Sequence, residues 1–168
     1  MPFTPFHLGP ALLFGLTFPP IFDLLTLMIA SVIPDVEPSC VLLFNLSAPS
    51  HGFFHSYLGA SILAVLVTVI VYSFRDILAN IMLKFHVLQK SSFKKILFTS
   101  FAGAYFHVFL DSLLYSEMKP LYPLQGNLFV GVIPFYIAYV VYGFCSISFI
   151  FGVILYVYKI RTGIAVLG

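Results

Sequence analysis

The sequence predicts an all-α, polytopic transmembrane helical bundle, and three observations carry that prediction. Of 168 residues, 61% are hydrophobic and only 8% charged, whereas a soluble domain carries about 25% charged residues. Residues 56–74, 96–115 and 135–158 are apolar runs close to the roughly 20 residues that cross a bilayer as a helix, which gives three spans. Five of the eight basic residues, Arg75, Lys84, Lys90, Lys94 and Lys95, crowd a single loop, and Lys159 and Arg161 follow the last span.

Taken in order, the N-terminus lacks Lys and Arg, and Pro10 and Pro19-Pro20 interrupt its apolar stretch, so it is not read as a cleaved signal peptide. Residues 8–18 and 21–33 are apolar but short and are divided by the two prolines, which predicts a short helical hairpin, spanning or re-entrant. Between Arg75 and Lys95, apolar residues recur at 77, 78, 81, 82, 85 and 88 with polar ones between, the pattern of an amphipathic helix on a membrane surface. No repeat or low-complexity linker divides the chain, so residues 1–168 are read as one integral membrane domain in contact with a lipid bilayer. The clustering of basic residues predicts that the 75–95 loop and the C-terminus are cytoplasmic in the cell membrane, which puts residues 34–55 on the extracytoplasmic side. A net charge of +2 without a basic patch excludes a nucleic-acid partner. Cys40 and Cys145 form no CxxC, and Cys145 lies in an apolar run. Nothing in the chain speaks to oligomeric state.

Against this apolar background the ionisable residues stand out. His7 lies near the N-terminus, Asp35 and Glu37 in PDVEP, His51 and His55 in HGFFHS, and His107 and Asp111 in HVFLD. The predicted topology sets all seven on one side, with His86 apart among lysines. His107 and Asp111 are four residues apart and share a helix face. His51 and His55 form a second such pair if Ser50 caps a helix running into the 56–74 span. Pro34 and Pro38 frame Asp35 and Glu37 in what reads as an extended turn. Imidazole and carboxylate together suit zinc and also accept manganese or iron. Seven groups exceed the three that hold one catalytic zinc. Either two ions share the site, or some groups act as outer partners and general base. Asp23 reads as a helix-end carboxylate, and Glu117 with Lys119 as a pair at a wet turn.

These segments, FHLG, PDVE, HGFFHS and HVFLD, in this order over residues 1–127, resemble the membrane-bound metal-dependent hydrolase family of small bacterial and archaeal membrane proteins. Its members carry PD-x-D, where this chain has Glu37 as the second acid, and often HRG-x-THS, where this chain lacks the Arg. The expectation is therefore a metal-dependent hydrolase with His7, Asp35, His51, His55, His107 and Asp111 as ligands to one or two ions, zinc foremost. Glu37 is the candidate general base. A site at headgroup depth favours a lipid or lipid-linked phosphoester as substrate. The alternative is a metal-binding or ion-transporting membrane protein without turnover, a reading kept open by the broken N-terminal hairpin.

Overall fold

The structure is a computed structural model that describes residues 5–130, 136–163 and 166–167. Seven helices dominate it: α1 (Pro5–Thr17), α2 (Leu24–Ala30), α3 (Val36–Leu43), α4 (Tyr57–Ser73), α5 (Arg75–Leu83), α6 (Phe93–Ser112) and α7 (Ile137–Arg161). The single extended pairing among the described residues is two residues long, β1 (Val87–Leu88) parallel to β2 (Val166–Leu167), and it leaves the architecture an all-α bundle.

Side-chain caps start three of the helices. Asp23 accepts from the Thr26 amide at the head of α2, Ser56 from Gly59 at α4 and Ser92 from Lys95 at α6, each satisfying a donor the first turn leaves free. The helices then pack through small residues, as apolar helices must when lipid competes equally for their large side chains. Ala60 and Ala64 of α4 meet Ala104 and Val108 of α6 in a fully buried cluster. Gly103 of α6 sits against Ala30 and Ser31. Gly9 of α1 lies so close to the Cys145 carbonyl of α7 that a Cβ there would collide with it.

Several sequence expectations change. The hairpin expected over 8–33 forms as α1 and α2, which run antiparallel and pack on each other either side of Pro19-Pro20, but its second arm is longer than expected. After α1, residues Leu24–Leu43 run on through a 3-10 turn at Ile33–Asp35 into α3, and this 20-residue stretch is long and apolar enough to span. PDVEP is accordingly helical rather than an extended turn. Pro34 enters at the first positions of the 3-10 turn and Pro38 in the first turn of α3, where no backbone N–H is required. Of the three expected spans, the last corresponds to α7, which qualifies, with Phe135 outside the described residues. The first is α4, 17 residues long, which reaches span length only if α5 is counted across a 75° bend. The run 96–115 is α6, long enough at 20 residues but not apolar enough to qualify, because Lys94, Lys95, His107 and Asp111 lie within it. The amphipathic helix over 75–95 stops at Leu83, since the chain turns through a positive φ of 59° at His86 before β1.

Helix direction sorts the charges. α1, α4 and α7 begin, and α2 and α6 end, at one end of the bundle, where Phe6 packs on Tyr142 and His7 meets Asp111. At the other end Lys95 Nζ donates to the Pro19 carbonyl and Tyr156 to that of Phe85. Seven of the eight basic residues occupy this second, basic end, with only Lys119 at the first.

Candidate metal centre

Asp35, His55, His107 and Asp111 converge at the first end. One ligand atom from each lies within 4.8 Å of all the others, and all four residues are buried. α6 supplies His107 and Asp111 one turn apart, the 3-10 turn after α2 supplies Asp35, and the 3-10 turn Phe53–His55 supplies His55. His107 Nε2 is 3.4 Å from His55 Nε2, 3.3 Å from Asp111 Oδ2 and 3.7 Å from Asp35 Oδ1. His55 Nε2 is 3.8 Å from both Asp35 Oδ1 and Asp111 Oδ2. With bonds of about 2.0–2.1 Å, neighbouring ligands of a tetrahedral ion stand roughly 3.3 Å apart, so these five edges need contract by about half an ångström at most, while the two carboxylates stand within 4.8 Å of each other.

The outer nitrogens decide what the inner ones present. His107 Nδ1 donates to the Ser31 carbonyl at 2.7 Å and His55 Nδ1 to Glu37 Oε2 at 2.9 Å. In the neutral rings both Nε2 atoms therefore carry lone pairs. With both rings neutral, two imidazole lone pairs and two carboxylate oxygens face one another, an arrangement resolved by a cation, either a metal ion or a proton on His55. The tautomer-fixing carboxylate or carbonyl behind each histidine is the usual support of a metal-bound imidazole. The same demand for positive charge shows in His55: burial pulls its pKa down, but hydrogen bonding to Asp35 and Glu37 outweighs this and pushes it up to about 9. Asp35 Oδ2 and His7 Nδ1 are buried without a hydrogen-bond partner among the described residues, so the donor set has capacity to spare.

A family model described as YdjM inner membrane protein matches residues 5–167. The chain belongs to the YdjM inner membrane protein family. No curated protein and no solved structure matches it. The YdjM description fits the membrane bundle and names no reaction, so it does not carry the hydrolase activity that the resemblance of FHLG, PDVE, HGFFHS and HVFLD implies.

Of the six ligands expected from sequence in this YdjM-family protein, four form the cluster. His7 stands beside it, its ring 4.0 Å from that of His107 and its Nε2 3.2 Å from Asp111 Oδ1. His51 is outside the four-atom group. It does not share a helix with His55, because Ser56 rather than Ser50 caps α4 and residues 50 and 51 bend before the 3-10 turn. Its ring meets that of His55 edge-on at 4.8 Å, stacks on Tyr115 at 3.9 Å, and its Nδ1 lies 3.1 Å from Glu117 Oε1. Burial foremost, then the positive charge of His55, holds the His51 pKa below its ordinary value against the pull of Glu117. Glu37 accepts from the Gly52 and Phe54 amides as well as from His55, and so clamps the HGFFHS segment.

Two contributors escape the sequence reading. The Ser31 carbonyl has no side-chain signature, and Glu117, expected as a surface partner of Lys119, turns instead to His51. His86 is exposed and remote, as its lysine-rich surroundings suggest.

Proposed function

We propose that this YdjM-family protein is a membrane-embedded, metal-dependent hydrolase whose ion, most simply zinc, is held by Asp35, His55, His107 and Asp111. The observation that supports it is the convergence of four lone-pair atoms with both histidine tautomers fixed from behind. A bound divalent ion acidifies water and polarises a phosphoryl or acyl group. The chain's own residues do the rest. Glu37 orients His55 and holds residues 52–54 in place. His51, its Nδ1–H directed at Glu117, offers Nε2 as the group that accepts a proton from the attacking water. His7 steadies Asp111. Seventeen residues of α7 separate Tyr142, level with His7, from Lys159, a rise of roughly 25 Å. The centre therefore lies near the far boundary of a hydrocarbon core about 30 Å thick, a depth that favours a lipid or lipid-linked phosphoester as substrate.

The roles separate in mutants. His51→Gln should retain metal and lose turnover by about 10²–10⁴-fold, the range for removing a general base. Glu37→Gln should lower metal content and turnover together, because it loosens His55. Metal analysis of the purified variants, with a panel of phosphomonoesters, phosphodiesters and lipid esters in mixed micelles, reads both. Glu37→Gln that keeps its metal and loses only turnover would return the base to Glu37.

A second reading, ion passage, draws on α2, which carries buried polar groups at both ends: Asp23 with Thr26, Ser91 and Thr99 at one, Ser31 at the other. Divalent-ion flux into proteoliposomes by a protein that hydrolyses nothing in the panel would favour it.

The basic end is proposed to be cytoplasmic, which leaves the centre extracytoplasmic. With Cys40 and Cys145 replaced, a cysteine at Ser47 should react with an impermeant thiol reagent in intact cells and one at Ser92 should not. The opposite labelling pattern would turn the centre towards the cytoplasm.

A further inference from the structure

A cavity of about 320 Å³ opens at the basic end, beneath the 75° bend between α4 and α5 and beside the entry to α6. Val71, Leu78 and Ile96 make its wall apolar on the bundle side, while Arg75 and Lys90 line it from two separate segments. Arg75 is already held. Its guanidinium lies over the Tyr72 ring, 4.4 Å from the centroid, and donates to the Tyr72 carbonyl at 3.0 Å. The same wall also carries two carboxylates, Asp23 and Asp76, which balance Arg75 and Lys90 in number, so the positive excess comes from the wider basic end of the bundle. Asp23 is engaged by Thr26 and Ser91, and the Asp76 side chain is 73% exposed and 3.9 Å from Arg75. At this end seven basic residues face only these two acids.

The depth of the cavity is set by α5. No residue of that helix is buried, and Phe74, Ile77, Ile81 and Phe85 present an uncovered apolar face beside the cavity. In a bilayer that face rests on acyl chains, which brings Arg75 and Lys90 to the level of lipid phosphates. Basic pockets between membrane helices are established binding places for anionic headgroups, and a guanidinium fork matches phosphate oxygens.

We propose that this cavity binds the phosphate of an anionic phospholipid, with Arg75 and Lys90 as its donors. The site is independent of the metal centre at the opposite end. The chemistry recognised is a phosphate anion, and the lipid rather than free phosphate is the source because the wall beside the two cations is apolar and opens at the bilayer surface.

The test is native mass spectrometry of the delipidated protein in detergent, titrated with phosphatidylglycerol, with diacylglycerol, or with inorganic phosphate as competitor. The wild type should retain one phosphatidylglycerol and no comparable diacylglycerol. Arg75→Gln with Lys90→Gln should weaken retention by roughly 10–30-fold, given about 1 kcal/mol per basic residue near a headgroup. Lys84→Gln with Lys94→Gln removes equal charge outside the cavity and should have little effect. An unchanged melting temperature in detergent reports that each variant is folded, and Lys90→Gln alone, on an exposed loop, should weaken retention about 3–5-fold if the double variant fails to fold. Equal weakening by both double variants, or equal retention of diacylglycerol, would overturn the proposal. Displacement of the lipid by millimolar inorganic phosphate would reassign the cavity to a soluble anion.

Discussion

Asp111→Ala should purify with less than about a tenth of the metal bound by the wild type, and chelation should no longer change its melting temperature in detergent. Asp111 is 2% exposed, and its carboxylate is the group on which His7, His55 and His107 all converge. Removing it deletes one of the four candidate ligands and leaves Asp35 as the single carboxylate of the group facing a bound ion. In the wild type, loading with free metal at 100 times the dissociation constant contributes about 2.7 kcal/mol. For a chain of this length that corresponds to roughly 5–10 °C in melting temperature. His86→Ala should retain the whole of that shift. A wild type that melts identically with and without chelator would remove the metal centre from the account.

Gly9→Val should be strongly destabilising. A Cβ at Gly9 would overlap the Cys145 carbonyl oxygen and come within 3.0 Å of the Phe149 amide, and neither backbone atom can swing aside. α1 must then lift from α7, at a cost of about 1–3 kcal/mol or more. Because His7 lies two residues earlier on α1, metal affinity should weaken as well. Gly143→Val is the control on α7, since nothing lies within 4 Å of a Cβ there. Two variants that melt alike would show that the close α1–α7 contact does not hold the bundle together.

How much of the fold and the centre is legible in the sequence follows from the range over which each signal acts. His107 and Asp111 are legible as a pair because both fall inside one long helix, where four residues make one turn. The apparent pair His51 and His55 fails because Ser50 and Ser56 are equally good caps, and spacing cannot choose between them. Ser56 takes the role once Glu37 has fixed the Gly52 and Phe54 amides. That clamp is tertiary and has no local signature. Glu117 lies 66 residues from His51, and its nearer charged neighbour, Lys119, offers a sufficient local explanation. The spans differ from expectation for a related reason. Hydropathy scores a residue by type, whereas α6 keeps His107 and Asp111 against α1, α2 and the His55 turn, so its apolarity understates how well it is accommodated. Pro34 and Pro38 read as breakers because their tolerance in a first turn depends on where the helix starts.

The mixed character of α6 bears on how the chain is made. A helix with two lysines at its start and a histidine and a carboxylate near its end partitions poorly into lipid by itself. Synthesis runs from the N-terminus, so α2, the His55 turn and α4 have left the ribosome before α6 emerges. Its polar groups can be received directly by groups already in place, the Ser31 carbonyl for His107, while the Ala60/Ala64 surface receives the apolar Ala104 and Val108. The last two candidate ligands thus arrive on a helix too polar to insert well alone, so membrane integration of α6 should accompany assembly of the candidate centre.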